Sequence, residues 1–308
     1  MVCCFLSCTL FFGATSFEQH VQEVMPHTPL YNLIQEQDFL EAETLVLNKI
    51  QEVREDVQKK AELLALLSCL YVKDQKEELA FTTFLEALHC VPQASPIQLA
   101  GKEKQLFEKY LDLYIHTPQP TQEQAEAFAQ EIGPYLEKHP DYHFLRLLYA
   151  CSFANRKQYD EFFCNFFSSY IHAPDTYLIP RTLAILHVKL FERARTCEEK
   201  NRLKKQIVSF LEQAVRLYDR DTTVYKLLLV FAPEESRKET YQEVLRKILL
   251  SGTIIPRSEI SFYINCALAV EEYEKAEELL SKMKGWHGYS RAIEEMQNQV
   301  KDLKKNNG

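Results

Sequence analysis

The stretch Ala61–Ala94, AELLALLSCLYVKDQKEELAFTTFLEALHCVPQA, decides the fold. Leu64, Leu67, Ser68 and Tyr71 fall at the three and four spacing of one helix face, and Ala80, Phe84 and Ala87 do the same in a second run that ends at Pro92. A polar turn separates the two. The gaps have a physical reason: small residues let two antiparallel helices approach closely, while large ones fill the space between one pair and its successor.

Working outward, the same order returns in Asp141–Pro174 as Tyr149, Ala150, Phe153, Phe166 and Pro174, with Phe162 in place of the small residue of the second helix. It returns again in Ser258–Lys284 as Tyr263, Ile264, Ala267, Ala276 and Leu280. Weaker copies are Leu30, Leu33, Ala42 and Val46 near the start, and Leu227, Leu228, Phe231 and Val244 later. Residues 97–140 and 177–219 exceed the period, the second through a first helix lengthened around Phe191–Asn201. Prolines at 92, 96, 118, 120, 140, 174, 180, 233 and 256 fall at or near expected helix ends. No sustained alternation of strand type occurs, so the fold class is all-α.

Ala61–Ala94 resembles the tetratricopeptide repeat (TPR) pattern W-x2-L-G-x2-Y, A-x3-F, P in order and gaps, with Leu64 for the Trp and Ser68 for the Gly. The resemblance implies a right-handed superhelical solenoid of about seven TPR-like helical hairpins. The domain reading is 1–16 as a signal peptide or short apolar anchor, 17–285 as the repeats, and 286–308 as a closing helix, with Trp286 packed where the last pair meets it. An irregular helical bundle is the alternative.

Composition narrows the function. Only seven glycines occur, at 13, 101, 133, 252, 285, 288 and 308, and none of G-x-G-x-x-G, G-x-x-x-x-G-K-[ST] or G-x-S-x-G can be written with them. That excludes the glycine-dependent phosphate loops and the nucleophile elbow. The net charge is −8, with 11 Lys/Arg against 22 Asp/Glu in residues 1–150 and 25 against 22 in the remainder. The dense basic runs, Arg202, Lys204, Lys205 and Lys301, Lys304, Lys305, lack interleaved aromatics, which argues against nucleic acid.

Val2–Phe12 is apolar, too short to span a bilayer, and followed by Ala14 and Ser16 flanking Thr15, as signal cleavage before Phe17 requires. A basic residue ahead of it is missing. The expectation is a bacterial protein exported to the periplasm or secreted, with a peripheral N-terminal membrane anchor or a cytoplasmic location as alternatives. Cys69, Cys90, Cys151, Cys164, Cys197 and Cys266 lie in apolar helical stretches and read as reduced, buried thiols.

No catalytic signature stands out. His139 and His143 flank Pro140, which breaks the helix that would pair them on a metal, and His116 and His172 sit before Thr117-Pro118 and Ala173-Pro174 at expected helix ends. The acidic pairs 77–78, 234–235, 271–272 and 277–278 read as solvated. The run Phe162–Tyr170 reads as core. No enzyme activity, cofactor or metal is expected, and the alternative is an unrecognised Cys/His site. The TPR resemblance implies instead a concave groove for a partner peptide or helix, lined here by Ala65, Cys69, Leu147, Cys151, Tyr225, Leu229, Ser261 and Asn265. These are mostly apolar, and no Lys/Asn set for clamping a C-terminal carboxylate accompanies them. The expected function is a protein-interaction scaffold, with a membrane-tethered structural component as the alternative.

Overall fold

The computed structural model describes residues 16–91, 99–116, 122–172, 176–218, 221–251, 257–288 and 290–307. The apolar run 2–12 and the prolines at 92, 96, 118, 120, 174 and 256 lie outside them. The described residues form sixteen α-helices and no strand, in two compact units. One unit is Met1–Thr182 with Lys189–Arg195, and the other is Leu183–Val188 with Thr196–Gly308.

The first unit holds α1 (Phe17–Val24), α2 (Leu30–Gln35), α3 (Phe39–Glu52), α4 (Val57–Lys73), α5 (Glu77–Cys90), α6 (Gly101–His116), α7 (Gln122–Lys138), α8 (His143–Asn155) and α9 (Tyr159–Tyr170). α10 (Leu178–Arg193) contributes residues to both units. The second unit holds α11 (Cys197–Leu217), α12 (Thr222–Phe231), α13 (Glu234–Ser251), α14 (Arg257–Ala269), α15 (Tyr273–His287) and α16 (Arg291–Asn307).

Side-chain caps start several helices. Ser16 and Gln19 form a reciprocal capping box on α1, while Asp38, Asp56 and Asp221 accept backbone N–H bonds at the starts of α3, α4 and α12. The expected long helix over 191–201 is corrected by the same chemistry. Thr196 is extended, and its Oγ1 accepts from the Glu199 N–H at 3.2 Å, so α10 ends and α11 begins anew at Cys197. At the C-terminus, 286–287 belong to α15 and the closing helix starts at Arg291; the Trp286 side chain lies outside the description.

Four helix-to-helix turns are built alike. Gln37, Gln75, Lys157 and Glu271 have φ of 61°, 58°, 60° and 62°, the left-handed region. The N–H groups of Asp38, Lys76, Gln158 and Glu272 reach back to the carbonyls of Leu33, Tyr71, Phe153 and Ala267 at 2.8 to 3.0 Å, closing the last turn of each first helix. Counted from these turns, Ala42, Ala80, Phe162 and Ala276 occupy one common register position, and all four are buried. The repeat read from sequence is therefore a structural repeat over α2–α3, α4–α5, α8–α9 and α14–α15. Glu271, read as part of a solvated acidic pair, is the turn residue itself.

None of these turn residues is glycine, although a left-handed conformation costs an ordinary residue about 1–2 kcal/mol. Gln75 is exposed and points to a test. Gln75→Gly should stabilise the protein by up to about 1 kcal/mol, the relief being partly offset by the greater freedom of glycine in the unfolded chain. Chemical denaturation reads this as a higher midpoint; a lower midpoint would contradict the strain.

The first unit does not stack its hairpins in chain order. α4 packs on α3 and α5 and also directly on α9, while α6 and α7 pack on α8. The order through the unit is α4–α5, then α9–α8, then α6–α7, whereas a chain-order stack would insert α6–α7 in the middle. Aromatic rings weld the first junction: Phe84 stacks on Phe163 with centroids 4.1 Å apart, and Phe81 meets Tyr159 and Phe163 edge-on at 5.1 and 5.8 Å. At the second, Phe107 meets Phe144 at 5.9 Å, and the Glu103 carboxylate of α6 accepts the N–H groups of Phe144 and Leu145 at the start of α8. In the second unit, by contrast, each helix from α11 to α16 packs on the next along the chain.

Candidate functional site

Four of the eight expected groove residues lie in the first unit, and all four are enclosed there: Ala65 and Leu147 are fully buried, as is Cys69, and Cys151 is 3% exposed. For Ala65 and Cys69 the reason is α9, which packs on α4 where an open groove would leave solvent. Cys69 touches Cys164 and the Asp160 carbonyl of α9, and Cys151 lies 3.8 Å from the Thr182 hydroxyl. This side of the first unit is core.

The other four behave differently. Tyr225 is buried, but Leu229 and Ser261 are half-buried and Asn265 is exposed. α12 and α14 are tied by side chains: Lys226 Nζ lies 2.7 Å from Glu259 Oε2 and 5.3 Å from the Phe262 ring centroid, and the Thr222 and Tyr263 hydroxyls are 3.1 Å apart. As α12 advances from Thr222 to Lys226, its partners step back along α14 from Tyr263 to Glu259. Burial pushes the Tyr263 hydroxyl up to about 12, a shift that the Thr222 hydrogen bond opposes, and burial likewise pushes the Cys266 thiol up to about 12. Both stay protonated at neutral pH and act as packing groups.

The outer surface of this pair is apolar at one end. α12, TTVYKLLLVF, buries Val224, Tyr225, Leu228 and Phe231 on its inner side and leaves Leu229 half-buried and Val230 63% exposed. Helical spacing places Leu229 and Val230 one turn beyond Lys226, and Asn265 one turn beyond Phe262. Because the two helices run in opposite directions here, Asn265 lies toward the other end of the pair, and the apolar strip, with the Lys226 cation one turn away, can accept an apolar helix face. No protein-family model matches the chain, and no curated protein matches it.

Acid–base groups outside this face are committed to structure. α1 lies on α4 and α9, burying Phe17, His20, Val21 and Val24. Its first N–H, at Phe17, points at Glu161 Oε1 of α9 at 3.5 Å. Burial, reinforced by Asp160, raises the Glu161 carboxyl to about 7, while burial and the nearby Lys59 lower His20 to about 4. Sequence reasoning missed Glu161, whose one local sign is an acidic residue in the first turn of an otherwise aromatic helix.

Of the histidines weighed for metal, His139 stacks on Tyr142 and His143 on His172, with ring centroids 4.5 and 4.2 Å apart. Burial chiefly, then His172 and Arg146, lowers His143 to about 4. Among the described residues no group of three or more His, Cys, Asp or Glu side chains is arranged to hold a metal ion, and no helix is long and apolar enough to cross a membrane.

Proposed function

We propose that the protein is a non-catalytic interaction scaffold of tetratricopeptide-like hairpins, and that it holds the apolar face of a partner protein's helix on α12–α14. The observation that carries this reading is α12 itself. A helix apolar on nearly every side belongs in an interior, yet Leu229 and Val230 face outward. The four common turns support hairpins of the repeat type. The α4–α5 to α9 junction favours an irregular assembly of such hairpins over one regular superhelix, and it moves the binding face from the first unit to the second.

A helix laid on this strip removes Leu229 and Val230 from water without any charge clamp, with Lys226 one turn away at its edge. Leu229→Asp should then weaken binding by about 2 kcal/mol or more, because the carboxylate is desolvated on docking. Val230→Asp, at a more exposed position, should act similarly with even less effect on the fold. Proteins captured by the wild type and lost with both variants, at unchanged melting temperature, are the expected result. Capture that is indifferent to both substitutions in well-folded variants would place the partner elsewhere.

A further inference from the structure

Two rungs join α4 to α9. Lys73 pairs with Asp160, and one turn away on both helices the thiols of Cys69 and Cys164 lie in contact, Sγ to Sγ 3.4 Å, with both residues fully buried. No disulfide joins the described cysteines; Cys197 is exposed and Cys90 half-buried. We propose that Cys69 and Cys164 are a reversible disulfide site whose oxidised form staples α4 to α9. The sulfurs need to approach by about 1.4 Å to reach the bonded length of about 2.05 Å.

The oxidant is a low-molecular-weight disulfide of the glutathione type. One cysteine thiolate attacks it, forming a mixed disulfide and releasing one small thiol. The second cysteine then attacks the sulfur of its partner, so that the Cys69–Cys164 bond forms as the mixed bond breaks and a second small thiol leaves. The two thiol protons end on the two released thiols, and two electrons pass to the small disulfide. Burial and the neighbouring Cys69 hold the Cys164 thiol well above its usual range, so exchange proceeds while α4 and α9 are apart, during folding, and the closed packing then shields the product. The bond closes a loop between positions 95 apart, which restricts the unfolded chain.

The experiment unfolds the full chain in urea and refolds it across a series of glutathione redox buffers, with acid quenching, alkylation of free thiols and peptide mapping by mass spectrometry. A Cys69–Cys164 peptide, lighter by two hydrogen atoms than the two reduced peptides together and reversed by dithiothreitol, is expected. The oxidised protein should also melt several degrees higher. Mapping on the wild type needs no variant to fold, and Cys164→Ala should abolish the cross-linked peptide and leave Cys69 either alkylated or held as the mixed disulfide with glutathione. Refolded protein in which Cys69 and Cys164 are both alkylated, or paired with other cysteines, while Cys197 has become glutathionylated in the same sample, would overturn the proposal.

Discussion

Phe163→Ala should be among the most damaging single substitutions in the first unit, lowering stability by about 3–5 kcal/mol. Phe163 is fully buried and meets four rings of the cluster that joins α5 to α9: it stacks on Phe84 at 4.1 Å and lies 5.8 Å from Phe81, 5.5 Å from Phe162 and 6.5 Å from Tyr159. Truncation removes the transfer free energy of a phenyl group and leaves a cavity that helices pinned by Cys69, Lys73 and Asp160 cannot collapse to fill. At roughly 2–4 °C per kcal/mol for a unit of this size, the melting temperature should fall by about 10 °C. Phe163→Leu, which keeps most of the volume, should lose less than half as much. Denaturant melts of the three proteins decide it, and a Phe163→Ala loss below about 1 kcal/mol would mean that the α5–α9 junction is not a structural core.

The junction also shows where sequence reading runs out. The helices themselves follow from three and four spacing and from Asp and Thr caps, all local signals. The placement of Ala65, Cys69, Leu147 and Cys151 on one face of their helices is local too. Whether that face is open depends on α9, which reaches α4 from about a hundred residues along the chain, and no local pattern reports such a contact. The hint lay in α9 itself: Phe162, Phe163, Phe166 and Phe167 form a stripe about 140° wide that needs neighbours on two sides, and Phe162 in the small-residue position marks the hairpin that packs differently. The shared turn was hidden for a different reason. Its left-handed positions hold Gln37, Gln75, Lys157 and Glu271, so the usual glycine marker is absent and only the offset from Ala42, Ala80, Phe162 and Ala276 betrays them. The Glu103 cap on α8 is likewise non-local. On α12, the apolar composition was plain in the sequence, but which of its residues face outward followed only from the packing of α11, α13 and α14 around it.

Ala80→Asp should unfold the first unit, with a loss above about 4 kcal/mol. Ala80 is 1% exposed and stands at the register position that lets α5 close on α4 immediately after the Gln75 turn. Facing it, α4 is buried continuously from Leu63 to Tyr71, so no water can reach a new side chain there. An aspartate at this site either keeps its charge in an apolar wall or takes up a proton and still overfills a space shaped for a methyl group. Neither form is accommodated. Leu79→Asp is the matched control, because the neighbouring side chain is 48% exposed and lies in the first turn of α5, where a carboxylate is favoured. It should stay within about 0.5 kcal/mol of the wild type. The same contrast should hold in the second unit between Ala276→Asp, at the equivalent and fully buried position of α15, and Glu277→Asp beside it. Circular dichroism and denaturant melts distinguish the cases: a cooperative native transition retained in Ala80→Asp with near wild-type midpoint would show that α4 and α5 are not closed at this position, and would remove the packing basis of the common register.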